Sequence, residues 1–124
     1  MAYRYDPEAD VPAENWLGLA EDERIELAEA YHKRAKIKLP NRRLHAALHA
    51  AVETQIAMGE ETEAEATFAR LSSEGLDRHE AIHAIADVLA THMWNLQKGQ
   101  VAGDPNETYG MKLRELTARK WLAK

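Results

Sequence analysis

From Glu21 onward the chain sets apolar residues three and four positions apart, the period of helices with one buried face. The first helix is predicted from Glu21 to Ile37, with Ile25, Ala28, Tyr31, His32 and Ala35 on one side. Pro40-Asn41 interrupts the pattern. A second helix is predicted from Arg42 to Met58, carrying Leu44, Ala47, Leu48, Ala51, Val52, Gln55 and Ile56, with Gly59 closing it. A third, acidic helix spans Glu63 to Ser73 and stops before Gly75. Asp77 reads as the N-cap of a fourth helix running to Lys98. Asp104-Pro105 opens a fifth, which carries Tyr109, Leu113, Leu116 and Trp121. Ahead of them, Met1 to Gly18 holds Pro7 and Pro12 and has no helical period. It reads as an extended arm with Tyr3, Tyr5 and Trp16 as anchors. No window alternates apolar and polar residues, so no strand is expected. The predicted fold is a single all-α domain over residues 1–124, a compact bundle of four to five helices with an extended N-terminal arm.

Composition supports this and narrows the function. Alanine occurs 22 times and phenylalanine once in 124 residues, a strong bias toward helix. Cysteine is absent, which excludes disulfides, thiolate metal sites and cysteine nucleophiles. The net charge of −5 argues against a nucleic-acid partner, whose phosphates need a basic footprint. No apolar run has the length of a membrane span or a signal peptide, so the expectation is a cytoplasmic protein with no membrane partner. Trp16, Trp94 and Trp121 are candidate core or clamp residues.

The histidines carry the chemistry. The second helix holds His45-x3-His49-x3-Glu53 and the fourth holds His79-x3-His83-x3-Asp87, at a constant offset of 34 residues. Positions i, i+4 and i+8 lie within about 80° of one helix face. Each helix therefore presents two imidazoles and a carboxylate beside its apolar stripe. The full stripe rises about 12 Å, too far for one ion to hold all three groups. One metal taking two residues from each helix fits, as do two metals sharing the middle pair. Within the second stripe, His79-Glu80-Ala81-Ile82-His83 is an H-E-x-x-H motif. In zinc hydrolases its glutamate is the general base toward a metal-bound water. Glu80-x-x-His83 and Glu29-x-x-His32 also have the ligand spacing of di-metal carboxylate bundles. Glu80 has a structural alternative, since Asp77-x-x-Glu80 has the form of a capping box. His32 reads as a charge at a helix C-terminus or an interface residue ahead of a ligand, and His92 as a separate contact with Trp94 or Tyr109.

The L-H-x-x-L-H of Leu44 to His49, followed by Asp77-Arg78-His79-Glu80-Ala81-Ile82-His83, resembles a family of small bacterial helical proteins, domain of unknown function family 1841. The similarity is strongest from about Trp16 to Trp94. It implies a bacterial cytosolic helical protein with no assigned activity, in which the two histidine motifs belong together.

The expected function is thus metal binding between the second and fourth helices. The candidate ligands are His45, His49, Glu53, His79 and His83, and Glu80 is the candidate catalytic base. The expected cofactor is a divalent ion, zinc first and iron or another transition metal after it. A hydrolytic or di-metal carboxylate site would follow from the same residues. The alternative is a non-enzymatic helical adaptor or homodimerisation module whose histidines form a hydrogen-bonded polar core.

Overall fold

The computed structural model describes residues 4–35 and 41–123. Among these residues there is no strand. The helices are α1 (Ala13–Leu17), α2 (Glu21–Arg34), α3 (Arg42–Ala57), α4 (Ala64–Ser73), α5 (Arg78–Gln97), α6 (Pro105–Glu115) and α7 (Ala118–Leu122), with a 3-10 turn at Gly59–Glu61. The all-α reading holds. Four of the helices start where side chains accept from their orphan N–H groups. Asn41 accepts from Leu44 N, Asp77 from Glu80 N, Asp104 from Asn106 N and Thr117 from Lys120 N. Gly59 follows α3 at φ 65° and Gly99 follows α5 at φ 68°. That left-handed conformation favours glycine and ends the two helices that bear the histidine motifs.

Two features depart from the sequence pattern. The arm contains the short helix α1, and its anchors Tyr5 and Trp16 are buried, while Tyr3 lies outside the described residues. The predicted fifth helix is two helices. At Leu116 the backbone turns extended, and the Arg70 guanidinium takes the carbonyls of Leu113 and Leu116. Glu74 accepts from Ala118 N at 2.8 Å and Thr117 caps the new helix, so the break is bonded on both sides. The first helix has Arg34 as its last residue and Ala35 as its C-cap, and its expected end at Ile37 lies outside the described residues. Trp94, a candidate core or clamp residue, is 58% exposed and so not in the core, with Lys98 over its ring.

Helix α3 is the central element and packs on α1, α2, α4 and α5. Its Val52 joins an apolar cluster with Leu71, Ile82, Ile85, Leu89 and Leu113. Its Ala46 and Ala50 join a second cluster with Ala28, Trp16 and Tyr5. Alanine at all three helix–helix positions lets α2 approach α3 closely, which brings longer side chains on the same faces into contact.

The arm is tied to the start of α5. Tyr5 donates its hydroxyl to Glu53 at 2.5 Å, and Arg78 grips the same carboxylate with two nitrogens at 2.6 and 2.8 Å. Arg78 also donates to Pro7 O, Arg34 to Tyr5 O, and the His79 amide to the Glu8 carboxylate. Glu53 is 2% exposed, so its charge depends on this fork for compensation. Replacing Arg78 with Met leaves that carboxylate buried and unpaired. Urea denaturation should show a loss of about 3–5 kcal/mol, and a loss below about 1 kcal/mol would mean the pair does not hold α5 to α3. Tyr5→Phe removes one hydrogen bond to a charged group and should cost about 1.5–3 kcal/mol by the same measurement.

Candidate metal centre

Where α2, α3 and α5 meet, five imidazoles converge. The His49 ring lies 4.4 Å from His45, 4.6 Å from His32, 4.7 Å from His83 and 5.2 Å from His79, centroid to centroid. Those four surround it in a circuit: His32–His45 4.7 Å, His45–His83 5.1 Å, His83–His79 4.4 Å and His79–His32 5.9 Å. His45 opposes His83 and His49 opposes His79, so the two stripes face each other on antiparallel helices. With metal–nitrogen bonds of 2.0–2.1 Å, imidazoles on one ion have centroids roughly 4.5 Å apart at a right angle and roughly 5.2 Å apart at the tetrahedral angle. One candidate ligand atom from each of His32, His45, His49 and His83 falls within 4.8 Å of all the others.

Burial makes this arrangement costly as it stands. His49 is 0% exposed and His32 1%. Among the described residues, six ring nitrogens are buried without a hydrogen-bond partner: Nε2 of His32, His45, His79 and His83, and both nitrogens of His49. Each such atom costs about 1–3 kcal/mol, so six approach the whole stability of an ordinary domain, about 5–15 kcal/mol. One ring nitrogen is satisfied in the manner of a metal ligand. His32 Nδ1 lies 2.7 Å from the Ala28 carbonyl, which can only accept, so Nδ1 bears the proton and Nε2 keeps its lone pair facing the cluster.

Burial favours the neutral form of four of these imidazoles. Burial pushes His45 down to about 4, helped by its neighbours His32 and His83. Burial also lowers His49, followed by the effect of the four surrounding histidines. His79 and His83 move the same way, again chiefly by desolvation.

The structure brings His45, His49, His79 and His83 together and adds His32, whose sequence context suggests a helix-end charge or an interface residue. The signal lay in its place within the apolar stripe of the first helix. The carboxylates of Glu53 and Glu80 do not join them, whereas Asp87 lines a cleft together with His45 and His83. Glu53 points one turn beyond His49 into the Arg78–Tyr5 network, because a guanidinium fork inside the protein holds it there. Glu80 accepts from the Trp121 indole at 2.6 Å. Asp77 caps Glu80 N, but the Glu80 side chain does not return the bond, so only half of the expected capping box forms. His92 stacks on Tyr109 at 5.4 Å, apart from the cluster.

All five clustered histidines fall inside residues 17–115, the stretch that matches the model of the family described as domain of unknown function, DUF1841. The chain belongs to that family. Arg78 and Glu53 also lie within the family match, whereas Tyr5 and Trp121 fall outside it. No curated protein and no solved structure matches the chain.

The lowered histidines set the acid behaviour of the metal-free protein. Unfolded imidazoles titrate near 6.5, and the folded ones take protons only at lower pH. The unfolded state therefore binds more protons in between, and stability falls as pH drops below about 6.5 and on through the folded value of about 4 for His45. Thermal melts of metal-free protein should move steadily down from pH 7 to pH 4. A flat profile over that range would mean the cluster is hydrated and not buried.

Proposed function

We propose that the protein binds a divalent transition-metal ion in the histidine cluster, with His32, His45, His49 and His83 as its ligands and His79 beside them as a fifth. The observation that supports this most is the convergence of six buried, unpartnered ring nitrogens from three helices. The donor set is nitrogen throughout, which suits zinc and its neighbours and disfavours magnesium, calcium and manganese. The Nδ1–H of His32 on a backbone carbonyl is the outer-shell bond that orients a ligating imidazole. A hydrogen-bonded polar core is supported less, since no protein group among the described residues partners these nitrogens. Glu80, engaged with Trp121, supports an architectural role at the start of α5 more than that of a general base.

Zinc titrated into metal-free protein should bind at one equivalent. With free metal about 1,000-fold above the dissociation constant, the melting temperature should rise on the order of 10 °C. His49→Ala and His83→Ala should each abolish most binding, and the double variant should lose little more, because both act on one ion. Independent losses of two ions would mean two centres, and unchanged binding in both single variants would overturn the proposal. Glu80→Gln should keep the metal; its loss with all five histidines intact would make Glu80 a ligand.

A further inference from the structure

The circuit of rings has a covered side and an open side. His32 and His79 lie against Tyr31, whose ring meets them edge-on at 5.2 and 5.6 Å. The arm covers this side: Tyr5 and Pro7 are buried, and Glu8 accepts from the His79 amide. His45 and His83 stand across the circuit, half-buried, and line a cleft of about 220 Å³ whose other walls include Asp87, Ala90 and Trp121. The volume lies below the roughly 300–1,000 Å³ of sites for drug-sized ligands. It has room for a cation with a shell of about six waters, at about 30 Å³ each.

A centre with sealed ligands needs a way in. His49 is 0% exposed and His32 1%, so a hydrated ion cannot meet them first. His45 and His83 are both proposed ligands and cleft walls, so exchange of water for imidazole can begin there without separating the helices. Asp87 adds charge at that point. It follows His83 by one helical turn and stands in the cleft wall, yet it is not among the four residues whose ligand atoms lie within 4.8 Å of one another. That placement suits a group that attracts an arriving cation more than one that completes its shell. Trp121, another wall, holds the Glu80 carboxylate by its indole, and no lysine or arginine lines the cleft among the described residues. We infer that this cleft is the entry port of the metal ion, and that Asp87 draws a hydrated divalent cation to His45 and His83. The inference rests on the metal reading above and adds the route. It requires the charge of Asp87, not a carboxylate free of other contacts. One such charge near the path of a divalent cation raises the association rate about three- to tenfold once salt screening is included.

Cobalt(II) chloride mixed with metal-free protein in a stopped-flow instrument reports arrival through the growth of its d–d bands, and a chelator reports release. Saturable bands establish the metal site independently of the route. Asp87→Asn should slow association about three- to tenfold, keep the bands, and leave the release rate within roughly twofold. Ala90→Phe narrows the cleft without replacing a proposed ligand. It should slow association and release in parallel, about tenfold each, because an obstructed path raises the barrier in both directions. Glu8→Gln keeps the acceptor for the His79 amide and removes an exposed, screened charge from the covered side, so association should stay within roughly twofold. Unchanged rates in Asp87→Asn and Ala90→Phe would overturn the inference and leave the metal reading standing. So would an association rate independent of cobalt concentration, which would mean that the helices must open first. Altered bands with faster release in Asp87→Asn would make Asp87 a ligand and overturn its role at the port. Slowing in Glu8→Gln as large as in Asp87→Asn would place entry under the arm. Absence of cobalt bands in the unaltered protein would overturn both readings.

Discussion

Buried imidazole nitrogen needs a partner, and this constraint organises the structure. Five histidines on three helices are packed so that their neighbours in the core are mainly one another. Apolar packing explains why α2, α3 and α5 approach each other, through Ala28, Ala46 and Ala50 on one side and Val52, Ile82 and Ile85 on the other. It does not explain why the chain places nitrogens there. A hydrophobic residue at each position would fill the same space without the desolvation penalty. The arrangement makes physical sense when the lone pairs are used together.

The supports around the cluster have the same logic. Glu53 lies one turn after His49, and Arg78 immediately precedes His79, so their buried ion pair joins α3 to α5 beside two of the imidazoles. The arm closes over that pair with Tyr5, and Glu8 secures the His79 amide. Burial raises the Tyr5 hydroxyl far above its usual range, so it remains a hydrogen-bond donor to Glu53. The clamp fixes the rings' positions without adding a negative ligand.

Much of this was legible in the sequence, for local reasons. Helical period, Asn41, Asp77 and Asp104 as caps, and Gly59 after α3 are short-range signals, and the structure keeps them. The paired stripes of His45, His49, His79 and His83 were legible because i, i+4 spacing on two apolar-bordered faces predicts convergence. Contacts between distant segments were not. Tyr5 reaches Glu53 across 48 residues, and nothing in the spacing of the Glu53 stripe reveals that Arg78 will take its carboxylate. The offset of 34 residues matches Glu53 with Asp87 but Arg78 with Leu44, so the apparent repeat is broken at the residue that determines the carboxylate's role. His32 reads from sequence as a helix-end charge or interface residue because Lys33 and Arg34 follow it, whereas its ring is buried and bonds back to Ala28. The break at Leu116 depended on Arg70 and Glu74, which are over 40 residues away.

X-ray absorption at the zinc edge of the loaded protein tests the central claim most directly, because it reads the number and type of donors without relying on any assumed activity. The account predicts four to five nitrogen scatterers at about 2.0–2.1 Å, with the outer-shell pattern of imidazole rings. A shell dominated by carboxylate oxygen, or one with two imidazoles or fewer, would contradict it.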